Sequence, residues 1–199
     1  MAINPQLIET LRKDRTIVRT LCGVEMRFQT TWGLFSPRQI DEGSAMLLDQ
    51  VQVAEDAHIA DLGCGYGALG LTLAKRAPQG RAVLLDKDFV AVKYAQKNAE
   101  LNRLTNVDVR LSNGFEAVAP DEKFDLIVSN LPAKVGNELL TIFVYDAYQA
   151  LKPNGTLVVV TIAGLAKYIK RQFVEQFGNY KKLKQGKTYT VARAIKDLS

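Results

Sequence analysis

The stretch Ala60-Asp-Leu-Gly-Cys-Gly-Tyr-Gly-Ala-Leu-Gly70 (ADLGCGYGALG) ends an apolar run that starts at His58. It also opens a helical spacing that continues to Arg76. A strand that passes through a glycine-rich turn into a helix is the first unit of a parallel α/β sheet. Such sheets bind ligands at the carboxyl ends of their strands, near the point where strand order reverses. Alternating glycines at that turn let the backbone approach a ligand closely.

Two signatures overlap here. Gly65-Tyr-Gly67-Ala-Leu-Gly70 fits the G-x-G-x-x-G of dinucleotide sites. Asp61-Leu-Gly63-Cys-Gly65-Tyr-Gly67 fits the D-x-G-x-G-x-G loop of S-adenosylmethionine enzymes. In the nicotinamide register Gly63 would be the first glycine, and Ala68 then stands where the third is due. Asp61 separates the readings further. A carboxylate at the strand tip attracts the α-amino group and sulfonium of the methionine moiety and repels a pyrophosphate, by a few kcal/mol at contact. A glycine turn that binds nothing is the third reading.

Outward from this turn, strands and helices alternate. Ala82–Leu85 reads as a strand, Phe89–Asn102 as a helix and Val107–Leu111 as a strand. Asp125–Ser129 follows as a strand, then a helix over Glu138–Leu151 stopped at Pro153-Asn-Gly155. A strand over Thr156–Thr161, a helix over Leu165–Phe177 and two closing strands at 180–183 and 188–195 complete the pattern. The expectation is a doubly wound, Rossmann-like α/β sheet. Before it, Gln6–Arg19 has mixed helical spacing, and 18–21 with 24–28 suggest a hairpin around Cys22-Gly23. We read one domain, with residues 1–40 as an extension packed on a catalytic core at 41–199.

With 199 residues, 47% of them hydrophobic and 24% charged, the chain can bury a real core. It has no apolar run near the roughly 18 residues of a membrane helix. Its first residues lack an export pattern. Two cysteines and one histidine are too few for a Cys/His zinc site, so no metal is expected, and they fit a reducing cytoplasm. Charge is uneven. Residues 151–199 carry ten Lys/Arg against two acids, net +8, and residues 1–150 carry 16 against 19, net −3. The basic quarter suits a polyanion such as RNA, or equally a solvated basic helix and hairpin.

The other strand ends supply candidate ligands. Asp86 ends its strand 19 residues beyond Gly67, the place of a ribose-binding acid in this class of fold. It is also placed to serve as a helix N-terminal acid. Asn113 and Phe115 follow the third strand as partners for an adenine amino group and ring, although Asn113-Gly114 is also a turn signal. The fourth strand ends Ser129-Asn130-Leu131-Pro132, an amide followed by a braced turn.

These residues carry a resemblance. Gly33-Leu-Phe-Ser36, Ile40-Asp41 with Gly43-Ser44, the Asp61–Gly67 loop, Asp86, Ser112-Asn113 with Phe115, and Ser129-Asn130 with Pro132 resemble the small-domain methyltransferases. These are class I S-adenosylmethionine-dependent enzymes, whose best-known members methylate guanine N2 in ribosomal RNA. The match runs over roughly residues 18–199. It is similar to the catalytic half of two-domain members that also carry a degenerate N-terminal copy.

The resemblance implies seven strands with an antiparallel C-terminal edge and S-adenosylmethionine as cofactor. Its cofactor ligands would be Asp61, Gly63, Gly65, Gly67, Asp86, Asn113 and Phe115. It implies ribosomal RNA, or the small ribosomal subunit, as partner. An exocyclic amine is a poor nucleophile, and its two N–H bonds are the handles that orient it. Asn130 Oδ1 and the Leu131 carbonyl, aimed by the fixed ring of Pro132, would hold them. Catalysis is then mainly positioning. The family motif is Asn-Pro-Pro-aromatic. Here Leu131 replaces the first proline and Ala133 the aromatic residue that stacks on the base, leaving Trp32 or Phe35 to supply a ring and Lys134 to meet a phosphate. The alternatives are methylation of a protein glutamine amide, a non-catalytic cofactor-binding module, and a nicotinamide dehydrogenase.

Overall fold

The computed structural model describes residues 4–133 and 135–197. A short helix α1 (Pro5–Arg12) precedes β1 (Arg15–Leu21) and β2 (Val24–Thr30), which pair antiparallel as a separate ribbon. The core follows as α2 (Glu42–Leu48), β3 (His58–Leu62), α3 (Ala68–Arg76), β4 (Arg81–Asp86), α4 (Phe89–Leu101) and β5 (Val107–Leu111). It continues as β6 (Phe124–Asn130), α5 (Asn137–Ala150), β7 (Leu151–Ile162), α6 (Ala166–Phe177), β8 (Lys181–Gln185) and β9 (Tyr189–Ile195).

The sheet order is β5-β4-β3-β6-β7-β9-β8. Strands β5 to β7 run parallel, and β9 is antiparallel to both of its neighbours. The chain starts this sheet in the middle at β3, builds out to β5, then returns to lay β6 against the other side of β3. That reversal parts the connections at the carboxyl ends of β3 and β6 and leaves a crevice there. The strands are apolar on both faces because helices cover both. One layer packs Leu47 and Leu48 of α2, Leu71 and Leu73 of α3 and Ala95 of α4. The other packs Leu140 and Val144 of α5 with Ile169 and Phe173 of α6. The seven strands and antiparallel edge match the expected architecture. Edge strand β8 is capped against further pairing by its exposed Lys181, Lys182 and Lys184.

The hairpin expected around Cys22-Gly23 is present and longer than expected, while the helical spacing read over Gln6–Arg19 is cut short. Helix α1 stops at Arg12, and Arg15–Leu21 is a strand paired residue by residue with β2. The β-branched Thr16, Ile17, Val18 and Thr20 favour a strand once a ladder partner is present, and that tertiary gain overrides the local helical spacing. Cys22 and Gly23 both have positive φ (49° and 80°), the two-residue turn whose twist matches a hairpin.

The ribbon is docked by two asparagines four residues apart, Asn98 on α4 and Asn102 at its C-cap. Asn98 Oδ1 accepts from the Gln29 amide at 2.6 Å while its Nδ2 donates to the Gln29 carbonyl at 3.0 Å. Asn102 does the same with Arg27 at 3.0 and 2.6 Å. Each side chain thus acts as a rung on the free edge of β2. Cys22 and Cys64 are free thiols. Among the described residues no helix is long and apolar enough to cross a membrane, and no acid, His or Cys cluster could hold a metal.

Candidate active site

A cavity of about 350 Å³ opens at the crevice between β3 and β6. Its floor is the glycine loop. Gly63, Gly65 and Gly67 all have positive φ, and a Cβ at Gly63 or Gly65 would meet no atom within 4 Å, so only those two face open space. Gly67 is absent from the lining. It is the N-cap of α3, where an added Cβ would strike Leu71 at 2.6 Å. The loop is tied down by Gly63 and Cys64 amides donating to the Leu85 carbonyl at 2.8 and 3.0 Å.

Asp61 and Asp86 line the same cavity. Asp61 is almost fully buried. Its Oδ2 accepts from the Gly70 amide at 2.7 Å, and its Oδ1 has no partner. Burial pushes its carboxyl up to about 7; the Gly70 bond opposes this and the nearby Asp86 charge adds to it. Asp86 Oδ2 accepts from the Gly65 amide at 2.8 Å and Oδ1 from the Asp88 amide at 2.9 Å. A carboxylate offers about four lone-pair sites, so two remain for a diol. Asp88, not Asp86, caps α4 through the Val90 amide at 2.7 Å.

Asn113 is exposed on the cavity wall, its Nδ2 donating to Glu116 Oε1 at 3.3 Å. Phe115 lies elsewhere. It is buried in the core layer beneath α5, and the ring that lines the cavity beside Gly114 is Phe143 of α5. The expectation that Phe115 covers the cavity is corrected on that point. A position two residues past a turn gave no sign of which helix would supply the opposite wall.

At the tip of β6, Asn130, Leu131, Pro132 and Ala133 all line the cavity. Asn130 Nδ2 donates to Asp41 Oδ2 at 2.8 Å and to Ser44 Oγ at 3.0 Å. Its Oδ1 accepts no hydrogen bond from the described residues. The Leu131 amide donates to the Val160 carbonyl at 2.9 Å, holding the turn against β7. Phe35 is 64% exposed yet lines the cavity, so it forms the rim. Trp32 is also exposed, but it stands outside the lining with the Arg12 guanidinium 5.9 Å from its ring. Lys134 lies outside the described residues. Two further participants are Asp41, from the Ile40–Ser44 segment that carries the resemblance but had no role assigned, and Tyr189, which no motif singled out. They are 148 residues apart, and the fold joins Tyr189 to Asp41 and Asp41 to Asn130.

A model of the methyltransferase small domain matches residues 25–193. The chain belongs to that family. Among its relatives is the Bacillus subtilis uncharacterized protein YbxB, 32% identical over 137 residues, 68% of each chain. The ribosomal RNA small subunit methyltransferase C of Hahella chejuensis is 34% identical over 64% of this chain and 38% of its own length. The large subunit methyltransferase G of Psychromonas ingrahamii is 25% identical over 96% of this chain and 52% of its own. A solved Thermus thermophilus 16S rRNA N2 G1207 methyltransferase (RsmC), in complex with AdoMet and guanosine, superposes with a TM-score of 0.84. It is 30% identical over 92% of this chain and 50% of that one. The chain spans about half, or less, of these ribosomal RNA methyltransferases. A ribosomal protein L11 methylase from Lactobacillus delbrueckii subsp. bulgaricus, 21% identical with a TM-score of 0.63 over 77% of each chain, shares the fold.

Proposed function

We propose that this small-domain methyltransferase binds S-adenosylmethionine in the cavity and methylates the exocyclic N2 of a guanine in ribosomal RNA. The observation that carries this reading is the meeting of the Asp61–Gly65 loop, Asp86 and the free Oδ1 of Asn130 in one cavity. The likeness to RsmC over 92% of the chain supports the substrate class.

The residues present fit the cofactor. The unpartnered, buried Oδ1 of Asp61 suits an ammonium group, and the side-chain-free Gly63 and Gly65 leave room for the chain beside it. Asp86 has lone pairs left for ribose hydroxyls, and Asn113 with Phe143 borders the place for a base. When bound, the cofactor supplies a methyl group on a cationic sulfonium.

The protein's part is positioning. Asn130 Oδ1 accepts one N–H of the target amine and the Leu131 carbonyl accepts the other, which turns the nitrogen lone pair toward the methyl group. Pro132 restrains Leu131 to an extended conformation. Phe35 stacks on the target base in place of the aromatic that Ala133 lacks. Trp32, braced by Arg12, meets a flanking nucleotide, and Lys134 a phosphate. The test has two arms. Calorimetry with S-adenosylmethionine and with NAD reads the cofactor, and exclusive NAD binding sinks the proposal. Methyl transfer from labelled cofactor to ribosomal RNA, assembled subunits and protein extract reads the substrate, and label confined to protein refutes RNA.

A further inference from the structure

The orientation of the Asn130 amide is set by two residues outside the Asn-Leu-Pro turn. A carboxylate oxygen only accepts, so the end of the amide that faces Asp41 must be its NH2. One amide hydrogen goes to Asp41 and the other to Ser44, and the oxygen is left toward the cavity. Asp41 itself is held from three sides. Its Oδ2 accepts from the Ser44 amide at 3.1 Å as the N-cap of α2, and its Oδ1 accepts from the Tyr189 hydroxyl at 3.0 Å.

This contact is built into the packing. A Cβ at Gly43 would come within 2.9 Å of both Asp41 Oδ2 and the Tyr189 ring, so only glycine admits the tyrosine there. A Cβ at Gly186 would lie 2.8 Å from the Met46 terminal methyl, which places the β8–β9 turn beside α2. Burial first, and then the bond to Asp41, raise the Tyr189 phenol above its ordinary value, so it remains a donor.

We propose that Asp41 and Tyr189 are positioning residues of the methyl-accepting site, which lock Asn130 with its oxygen toward the substrate and strengthen that oxygen as an acceptor. The inference rests on the reading that Asn130 holds the target amine. Hydrogen bonds in a chain polarise one another, and a charge-assisted bond to the NH2 end draws electron density toward Oδ1. The amine nitrogen would take the methyl carbon as that carbon's bond to the cofactor sulfur breaks; it gains positive charge, which an acceptor backed by a carboxylate steadies until one N–H proton leaves to solvent.

The experiment uses the whole protein with Asp41→Asn and the near-isosteric Tyr189→Phe, each alone and combined with Asn130→Ala. Side-chain amide NMR of the free protein, with the Asn130 signals assigned by their loss in Asn130→Ala, reads the lock without substrate. Protected Asn130 NH2 protons that become exchange-labile in Asp41→Asn are expected, and freely exchanging protons in the wild type overturn the proposal. In methyl transfer to RNA, Asp41→Asn lowers kcat by roughly tenfold to a hundredfold, the scale of one hydrogen bond to a charged group. Tyr189→Phe lowers it less, and S-adenosylhomocysteine affinity is unchanged, which separates the loss from a collapse of the site. In the Asn130→Ala background Asp41→Asn adds no further loss of the residual single-turnover rate. An equal loss in both backgrounds, or an unchanged kcat, overturns the proposal. A held amide in a protein that methylates no RNA leaves the lock standing and refutes the substrate reading instead.

Discussion

Ser129 Oγ donates a 2.7 Å hydrogen bond to the carbonyl oxygen of Leu62. The β3–β6 ladder ends one residue earlier, at Asp61 opposite Val128, so this side chain carries the pairing one step into the crevice. It fixes the start of the glycine loop relative to Asn130, the next residue on β6. Ser129→Ala leaves the Leu62 carbonyl buried and unpaired, at a cost of about 1–3 kcal/mol. Because the two halves of the site lose their common register, cofactor affinity falls together with kcat. Urea unfolding and calorimetry measure the two effects.

The raised Asp61 carboxyl gives a signed pH dependence. The unfolded chain releases this proton near 3.8 and the folded chain holds it to about 7, mainly through burial. Its contribution to stability is therefore complete below pH 3.8 and is lost as pH rises toward 7. Asp61→Asn flattens that part of the stability curve. A cationic ligand favours the ionised form, so affinity for S-adenosylhomocysteine weakens below neutral pH by at most about tenfold per unit. Calorimetry across this range, in buffers of different ionisation enthalpy, reads the released proton directly.

The docking of the ribbon is testable through Asn98. This side chain is fully buried and also donates to the Tyr66 carbonyl of the glycine loop at 2.9 Å. Asn98→Ala strands the Gln29 amide and two carbonyls, and the expected loss is about 2–3 kcal/mol. Asn102→Ala, nearer solvent, costs about 1 kcal/mol. Denaturant unfolding of both variants gives the comparison.

Phe35 on the rim separates base binding from cofactor binding. Phe35→Ala weakens RNA binding by about 1–3 kcal/mol, the range of base–aromatic stacking, with cofactor affinity unchanged. Trp32→Ala has the smaller effect on RNA, since Trp32 stands outside the cavity. Equal losses in cofactor and RNA affinity would assign Phe35 to the cofactor instead.

Much of this was legible in the chain because it is local. The glycine loop, Asp86 and the Asn-Leu-Pro turn each sit where a strand ends, and strand ends converge in a parallel sheet. The C-terminal hairpin was readable from two β-rich runs around Gln185-Gly186. What was not legible depends on distant partners. Arg15–Ile17 belongs to a helical spacing until β2 extends the expected hairpin ladder over it. Phe143, not Phe115, faces the cavity because α5 lies over that wall. Asp41 stands in the Ile40–Ser44 part of the resemblance, but nothing near it in sequence announces the bonds to Asn130 and Tyr189.

The central claim is tested most directly by nucleoside analysis of ribosomal RNA after incubation with the protein and labelled S-adenosylmethionine. The account predicts label in N2-methylguanosine, reduced by about a hundredfold or more for Asn130→Ala, the scale of removing one group aimed at the transition state. Label at another atom of the base, label in protein alone, or full activity of Asn130→Ala would contradict it.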